Sequence, residues 1–341
     1  MFHFSPRNAL LPSAALAIML GISACGGGDS DPVPAEVTPP PAGTTPPPAA
    51  TAPPPTGTTP PALPTKALGL TDQRASPAAT PNVVRLVSFD IATPNTVTSV
   101  PITTAAGAGA FAANEWIFGM DYRPADSLLW GLTNRGRLYT IDPGTGVATF
   151  KFALSADAAD TTAPFTGLDA STSVSVDFNP VADRMRVVTV VGQNLSINVA
   201  TGATTTDTSA PAVAAPPAAF AGVSWVAGVA YSNSFAGATA TTLYTINNAN
   251  DNLSTQTLPA SGTQTAVGAL GAAIEEVQGF DIAGSTNQLA LGALRLTSTG
   301  PHSLYNINLT TGAAVLRPAT TGTSEIGGPT GLPLVDIAIR P

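Results

Sequence analysis

The chain of 341 residues is long enough for one large domain or two ordinary ones. Aromatic residues make up 6% of it and charged residues 10%, so Thr, Ser, Asn, Ala and Gly must cover its surface, a composition that suits sheets and turns better than exposed helices. The net charge of −8 argues against nucleic acid or anionic lipid as a partner, and the single cysteine excludes an internal disulfide or a cysteine-based zinc site.

The first 25 residues have the pattern of a bacterial export signal. Arg7 gives a weakly positive start, residues 14–20 form an apolar run, and Ile22-Ser23-Ala24-Cys25 resembles a lipobox, in which the cysteine is lipidated and becomes the new N-terminus. The apolar run is too short to span a bilayer, which takes about 20 residues. We expect lipidation at Cys25 rather than an ordinary secretory signal with a chance cysteine. Glycines rather than Asp follow Cys25, which favours the outer membrane.

Residues 26–65 are rich in Pro, Thr and Ala and include triple-proline runs at 39–41, 46–48 and 53–55. Such a segment has few side chains that could form a core, and its prolines favour extended polyproline II. We expect a spacer between the lipid anchor and a folded domain at 66–341. A proline-rich ligand for a partner is the alternative.

Two short patterns recur through the folded domain with one period. The first ends in Asp or Asn and occurs as Leu86-Val87-Ser88-Phe89-Asp90, Leu138-Tyr139-Thr140-Ile141-Asp142, Leu195-Ser196-Ile197-Asn198, Leu243-Tyr244-Thr245-Ile246-Asn247 and Leu304-Tyr305-Asn306-Ile307-Asn308. The second has Asp or Ala at positions 121, 177, 230, 281 and 336. Both repeat about every 50 residues, which indicates five structural units.

The clearest unit predicts four short strands separated by turn residues. They are Met120 to Arg123, Leu128 to Thr133, Leu138 to Ile141 and Val147 to Phe152. Four antiparallel strands at this period are typical of a β-propeller blade. Residues 335–341 fit an inner strand that lacks the other three strands of a blade. Residues 67–101 fit three outer strands that lack an inner one. We therefore predict an all-β propeller of about five four-stranded blades, closed by pairing the C-terminal strand with the N-terminal blade.

Three motifs of this unit together resemble a known family. They are Gly119-Met120-Asp121-Tyr122-Arg123-Pro124, Leu129-Trp130-Gly131-Leu132 and Leu138-Tyr139-Thr140-Ile141-Asp142-Pro143-Gly144-Thr145-Gly146. The chain resembles, over roughly residues 66 to 341, a bacterial exported family described as domain of unknown function 4394. The resemblance implies the propeller and a place in the cell envelope, and it implies no activity.

The loops of a propeller can be assigned to its two faces. Long connections are predicted to enter the inner strands at residues 105–118, 155–174, 209–227, 259–278 and 319–334. They share one face, the long-loop face, with the turns between second and third strands, while the opposite short-turn face has only tight turns. Because binding residues concentrate on loops held by a rigid frame, the long-loop face is the predicted site for an unknown protein or small ligand.

The candidates on that face are aromatic and acidic residues that could form a platform for a sugar or a peptide. They are Phe111, Glu115, Trp116, Phe165, Asp169, Trp225, Glu275, Glu276 and Glu325. The alternative for Trp116 and Trp225 is that they fill the space between blades.

Acidic residues occupy the equivalent position on four of the five predicted inner strands: Asp121, Asp177, Asp281 and Asp336. Ala230 stands at the fifth. Carboxylates around a central channel would suit a hard divalent cation such as Ca²⁺. The alternative is structural, because a buried Asp often accepts backbone hydrogen bonds or pairs with an arginine, and Arg123 and Arg340 lie on the same strands.

Catalytic residues are not predicted. His302 is the only histidine outside the signal, so a Ser-His-Asp triad or a histidine-rich metal centre would depend on it alone. The sequence favours a non-enzymatic, monomeric envelope protein that presents a propeller face to a ligand. The alternative is a divalent-metal-dependent hydrolase or lactonase that uses the inner-strand carboxylates, and no other cofactor is expected.

Overall fold

The computed structural model describes residues 62–72, 83–169, 174–190, 192–207, 226–247, 249–258, 260, 262–284, 286–297 and 299–341; Cys25, the export signal and most of the proline-rich segment lie outside them. The strands are β1 (Lys66–Thr71), β2 (Arg85–Asp90), β3 (Thr93–Pro101), β4 (Thr103–Thr104), β5 (Ile117–Tyr122), β6 (Leu129–Thr133), β7 (Arg137–Ile141), β8 (Val147–Ala153), β9 (Ser155–Ala156), β10 (Val174–Asn179), β11 (Arg184–Thr189), β12 (Asn194–Ile197), β13 (Ala203–Thr206), β14 (Val226–Tyr231), β15 (Leu243–Asn247), β16 (Asn252–Leu258), β17 (Thr263–Ala269), β18 (Glu276–Ala283), β19 (Leu289–Arg295), β20 (Ser303–Ile307), β21 (Ala314–Leu316) and β22 (Leu334–Ile339). A short 3-10 helix covers Gly328–Thr330. Within the described part of the chain, no helix is long and apolar enough to cross a membrane.

The described strands form five sheets, the blades of a propeller. From the centre outward, blade 1 is β22-β1-β2-β3, blade 2 is β5-β6-β7-β8, blade 3 is β10-β11-β12-β13, blade 4 is β14-β15-β16-β17 and blade 5 is β18-β19-β20-β21. The inner strands β22, β5, β10, β14 and β18 contact one another in a closed ring. The predicted all-β propeller is therefore confirmed.

The ring closes as the sequence predicts. The C-terminal strand β22 pairs antiparallel with β1, with Leu68 opposite Ala338 and Leu70 opposite Asp336. Blade 1 thus takes its inner strand from one end of the folded domain and its outer three from the other. In blade 2 the four predicted strands agree with β5 to β8 to within a few residues.

The buried apolar residues of the described segments form five clusters, and each lies between two neighbouring blades. Representative pairs are Leu70 and Met120 between blades 1 and 2, Trp130 and Phe178 between 2 and 3, Val188 and Tyr231 between 3 and 4, Ile246 and Phe280 between 4 and 5, and Leu291 and Ile337 between 5 and 1. This arrangement explains why both faces of most inner strands are buried, as in the fully buried β5.

Blade 4 departs from the predicted repeat. The segment Leu243-Tyr244-Thr245-Ile246-Asn247 resembles the third strand of blade 2, yet as β15 it pairs directly with the inner strand β14 and is a second strand. The predicted long connection at 259–278 is consequently wrong, because β17 and the start of β18 lie within it. Strand propensity is a local property, whereas the pairing partner depends on the length of the preceding loop.

Segments that leave one blade cover the outer edge of the next. After blade 1, β4 pairs parallel with β8, and after blade 2, β9 pairs parallel with β13. Between blades 4 and 5, the Ala314 N–H donates to the Leu270 carbonyl at 2.8 Å, and between blades 5 and 1, the Thr320 N–H donates to the Ala92 carbonyl at 2.8 Å. These contacts therefore cover part of the outer edge of blades 2 and 3 and tie blade 5 to its two neighbours.

Candidate functional site

The predicted ring of carboxylates lies on the inner strands. Asp121 is on β5, Asp177 on β10, Asp281 on β18 and Asp336 on β22, and all four are at most 4% exposed. The pairing registers place Ala230 of β14 at the equivalent position, opposite Tyr244 of the second strand, as Asp121 is opposite Trp130. The four residues thus hold the equivalent positions on the inner strands that the sequence period predicts, and a metal-binding role for them stays a prediction.

Each carboxylate accepts a hydrogen bond from the inner strand of the following blade. The donors are the N–H groups of Met120 to Asp336 (2.8 Å), Phe178 to Asp121 (2.9 Å), Tyr231 to Asp177 (3.2 Å) and Ile339 to Asp281 (2.5 Å). The second oxygen of Asp121, Asp281 and Asp336 accepts the N–H of the next residue in its own strand. Buried polar groups are usually hydrogen-bonded, and these bonds connect neighbouring blades at four of the five junctions.

The junction between blades 4 and 5 lacks the carboxylate, since Ala230 takes its place. Amide side chains join these blades instead. The Asn233 N–H donates to Asn287 Oδ1 at 2.6 Å, and Asn287 Nδ2 donates to Asn233 Oδ1 at 2.7 Å. A single β-bridge joins Ser234 to Gly284.

Three of the carboxylates converge. Asp121, Asp177 and Asp281 each place one oxygen so that the three atoms lie within 4.8 Å of one another. Neither arginine that the sequence offers as a counter-charge pairs with them. Arg123 binds Asp126 and Asp183, and Arg340 is exposed.

Burial governs the ionisation of this cluster. Burial raises the pKa of Asp121 and Asp177 well above the ordinary range, and repulsion from the neighbouring carboxylates raises it further. Burial also raises the pKa of Asp336, and that of Asp281 to about 7. Chemically, such a cluster can retain protons that adjacent carboxyl groups share, or it can exchange them for a cation with oxygen ligands.

Glu115, predicted as a face residue, lies buried in a network at the base of the long loop. Its carboxylate accepts hydrogen bonds from the Ala112 N–H (2.8 Å), the Thr133 hydroxyl (2.7 Å) and Arg137 Nη1 (2.8 Å). The network ties the connection that enters blade 2 to the turn between β6 and β7.

The aromatic candidates of blades 2 and 3 pack against the frame. Phe111 makes an edge contact with Tyr139, with ring centroids 5.0 Å apart. Trp116 is half-buried against the cores on both sides of blade 2. Phe165 packs on the core between blades 2 and 3 and lines a cavity of about 320 Å³ on the long-loop face. Beside it, the Asp169 N–H donates to Gln193 Oε1 at 2.9 Å.

The remaining candidates lie on other blades. Glu275 is exposed and precedes β18, Glu276 is the first residue of β18, and half-buried Glu325 accepts the Thr323 hydroxyl at 3.2 Å. Trp225 lies outside the described residues. The candidates are thus distributed among several blades. His302 is buried, accepts the Leu334 N–H at Nδ1, and has a pKa that burial lowers to about 3.

Sequence reasoning missed two adjoining cavities on the short-turn face. They have volumes of about 470 and 290 Å³ and share Tyr122, Pro143 and Arg340. Tyr122 and Pro143 belong to the motifs noted above, whereas Arg340 follows a strand about 200 residues further along the chain. A sequence pattern does not indicate that these residues line the same cavities.

The fold and the carboxylate ring define the class of this protein: a five-bladed β-propeller with buried acidic residues between its inner strands. The chain belongs to the family described as Domain of unknown function (DUF4394), whose model matches residues 85–328. No curated protein matches the sequence.

Several solved structures are similar to this chain at low sequence identity. A protein of unknown function from Bacteroides thetaiotaomicron has a TM-score of 0.43 at 12% identity, over 83% of this chain and 68% of its own. A candidate 6-phosphogluconolactonase from Bacteroides uniformis has a TM-score of 0.39 at 14% identity, over 80% and 98%. A calcium-binding protein, regucalcin, from Agrobacterium tumefaciens has a TM-score of 0.34 at 12% identity, over 77% of each chain. These similarities are too distant to assign a function.

Proposed function

We propose that this protein is a non-enzymatic binding module of the cell envelope, whose ligand contacts the long-loop face. The observation that carries the proposal is the cavity of about 320 Å³ on that face, lined by residues that include Arg135, Phe165 and Leu168. The half-buried Phe165 ring can stack on a ligand, and an arginine that lines the same cavity can donate hydrogen bonds to it. A sugar or a short peptide has both an apolar surface that can stack on a ring and polar groups that can accept hydrogen bonds.

The walls of this cavity support the proposal because they are held in place before any ligand arrives. Gln193 Nε2 donates to the Gly167 carbonyl at 2.8 Å, and its Oε1 accepts the Asp169 N–H. On the opposite wall, the Leu154 N–H donates to the Gly136 carbonyl at 2.8 Å. A pre-organised site loses less conformational entropy when it binds.

The test is a thermal-shift screen of the full chain against soluble oligosaccharides and short peptides. A ligand of this cavity should raise the melting temperature of the wild type and of the control Val315→Ala, which alters an exposed residue of β21, but not that of Phe165→Ala. Equal shifts in both variants, or none with any probe, would contradict the proposal. So would turnover of a lactone or ester panel that is lost in Asp281→Asn.

A second candidate function rests on the convergence of Asp121, Asp177 and Asp281. Three carboxylate oxygens this close together suit a divalent cation such as Ca²⁺, which would be the centre of a hydrolase or lactonase. Calcium should then raise the melting temperature, more at pH 8 than at pH 5 because the ligands must be ionised. EDTA should reverse the shift, and Asp177→Asn should abolish it. Melting that is indifferent to both additions would refute the cation site.

The place of the protein in the cell rests on Cys25 and the proline-rich segment. We propose that lipid on Cys25 anchors the propeller to the outer membrane and that residues 26–65 hold it away from the surface. Cells fed radiolabelled palmitate should label the wild type but not Cys25→Ser, and the wild type should fractionate with the outer membrane. Labelling that persists in Cys25→Ser would contradict the anchor.

A further inference from the structure

The short-turn face carries a cavity that the proposed function does not use. Its larger part, of about 470 Å³, opens between the turns of blade 2, and its smaller part, of about 290 Å³, reaches Lys66 and Ser88 of blade 1. Tyr122, Pro143 and Arg340 belong to both parts. The larger volume lies within the range of small-molecule sites, on the order of 300 to 1,000 Å³.

Arg340 differs from the other arginines of the described chain. Each of the others donates a hydrogen bond to a protein oxygen: Arg85, Arg123, Arg135, Arg137, Arg184, Arg186, Arg295 and Arg317. Arg340 has no hydrogen bond or ion pair with any described residue, and Lys66 at the other end of the cavity has no ion pair there either. In a chain with a net charge of −8, these two cations thus line the cavity without an ion pair to any described residue.

The walls of the larger part combine apolar and hydroxyl groups. Leu128 is 48% exposed and Val147 44%, although both are large apolar side chains. Thr140 and Thr149 add hydroxyls to the same lining. An apolar molecule would gain free energy by covering the two side chains, and the guanidinium would pair with its anionic end.

Asp142 also lines the cavity and limits the charge of a ligand. Its Oδ1 accepts hydrogen bonds from the Gly144 N–H (2.9 Å), the Thr145 N–H (2.8 Å) and the Thr145 hydroxyl (2.9 Å), so it is engaged by its own turn. These bonds lower its pKa, so it remains ionised at neutral pH. A fixed negative charge there disfavours a doubly charged group such as phosphate more than a single carboxylate.

We infer that this cavity binds a small organic monocarboxylate, whose anionic group pairs with Arg340 and whose apolar part covers Leu128 and Val147. The guanidinium fork matches the two oxygens of a carboxylate. Because the site lies on the face opposite the long loops, it is independent of the binding function proposed above.

The test is calorimetric titration of the full chain with hexanoate and with its neutral isostere hexanamide, at constant ionic strength. Hexanoate should bind saturably, and hexanamide at least about tenfold more weakly, since it lacks the charge-assisted hydrogen bonds. Arg340→Met should reduce hexanoate binding to the level of hexanamide, while Arg340→Lys should retain part of it. The matched control, Lys151→Met, removes an exposed cation outside the cavity and should bind as the wild type does.

Three results would overturn the inference: no saturable binding of hexanoate, equal binding of hexanoate and hexanamide, or unchanged affinity in Arg340→Met. Inorganic phosphate that displaces hexanoate at equal concentration would overturn the preference for a monocarboxylate. Because Arg340 is exposed, its variants should melt as the wild type does. Leu128→Ser should weaken hexanoate more than acetate, which separates the apolar contact from the charge.

Discussion

At the scale of single residues, the inner-strand carboxylates contribute hydrogen bonds between blades. Burying them when they are ionised costs folding free energy, and this cost depends on pH. In Asp121 both oxygens are used, one within its own strand and one with the next blade. The same burial that makes these bonds strong raises the pKa of the group.

The pH dependence of stability follows from these pKa values. Asp281 has a pKa of about 7 in the folded chain and 3.8 ordinarily, so the folded state keeps a proton that the unfolded state releases, and stability is lost as pH rises through the folded value. The lowered pKa of His302 has the opposite effect on stability, which rises with pH as this side chain loses its proton. That effect ends near the ordinary histidine pKa of 6.5. We expect the melting temperature in EDTA to fall between about pH 6.5 and pH 8. Circular dichroism would measure it, and a flat or rising profile would contradict the assignment.

Asp281→Asn provides the internal comparison. The amide cannot ionise, so the variant should have a shallower decline over the same pH interval, whatever its overall stability.

Glu115 offers a second prediction at this scale. Glu115→Ala removes the acceptor of the Thr133 hydroxyl and of a backbone N–H, and the ion-pair partner of Arg137, which should cost about 3 kcal/mol of unfolding free energy. Urea denaturation measures this cost. Glu275→Ala removes an exposed carboxylate and should change stability by less than about 0.5 kcal/mol. Similar losses in both variants would show that the network is not the cause.

At the scale of elements, blades 2 and 4 show what sequence can and cannot predict. In blade 2, alternating apolar residues and turns such as Asp142-Pro143-Gly144 mark all four strands, because each turn is tight and leaves no choice of partner. In blade 4, residues 232–242 separate β14 from β15 and contain no strand of their own. A strand motif specifies an extended backbone, but not the neighbour with which it pairs.

Gly279 of β18 lies where this inner strand approaches the inner strand β22. Its φ is +101°, and a Cβ atom would lie 2.3 Å from the Ile337 nitrogen of β22. Gly279→Ala should therefore destabilise the fold by at least about 3 kcal/mol, combining strain with backbone displacement.

Gly271→Ala is the control for strain alone. Gly271 also has a positive φ, of +82°, but nothing lies within 4 Å of its Cβ position. That variant should lose about 1 kcal/mol. Equal losses in thermal denaturation would show that the approach of β18 to β22 carries no penalty.

At the scale of the whole molecule, β22 closes the ring and contributes to two of the five cores. Leu334, Ile337 and Ile339 pack between blades 5 and 1, and Ala338 packs between blades 1 and 2. A chain that ends at Pro333 should lose cooperative thermal unfolding, because β1 and two neighbouring inner strands lose their partner. A chain that ends at Ile339 keeps these residues and should melt cooperatively. Cooperative melting of the shorter chain would contradict the role of closure.

The residues of the candidate sites also divide into those that repeat from blade to blade and those that do not. The ring of Asp121, Asp177, Asp281 and Asp336 was predicted because its members repeat with the fold. The pairing of Asn233 with Asn287 and the cavity that Arg340 lines together with Pro143 were not, since each involves residues that no repeat relates. Such contacts depend on how two blades are placed side by side.

The covered outer edges bear on how densely these molecules can be packed. Where the connecting segments β4 and β9 lie along β8 and β13, the polar backbone of an outer strand already has a partner. At these positions a neighbouring copy finds no free backbone group with which to extend the sheet. The segments that connect the blades thus also reduce the number of places at which a β-fibre could begin.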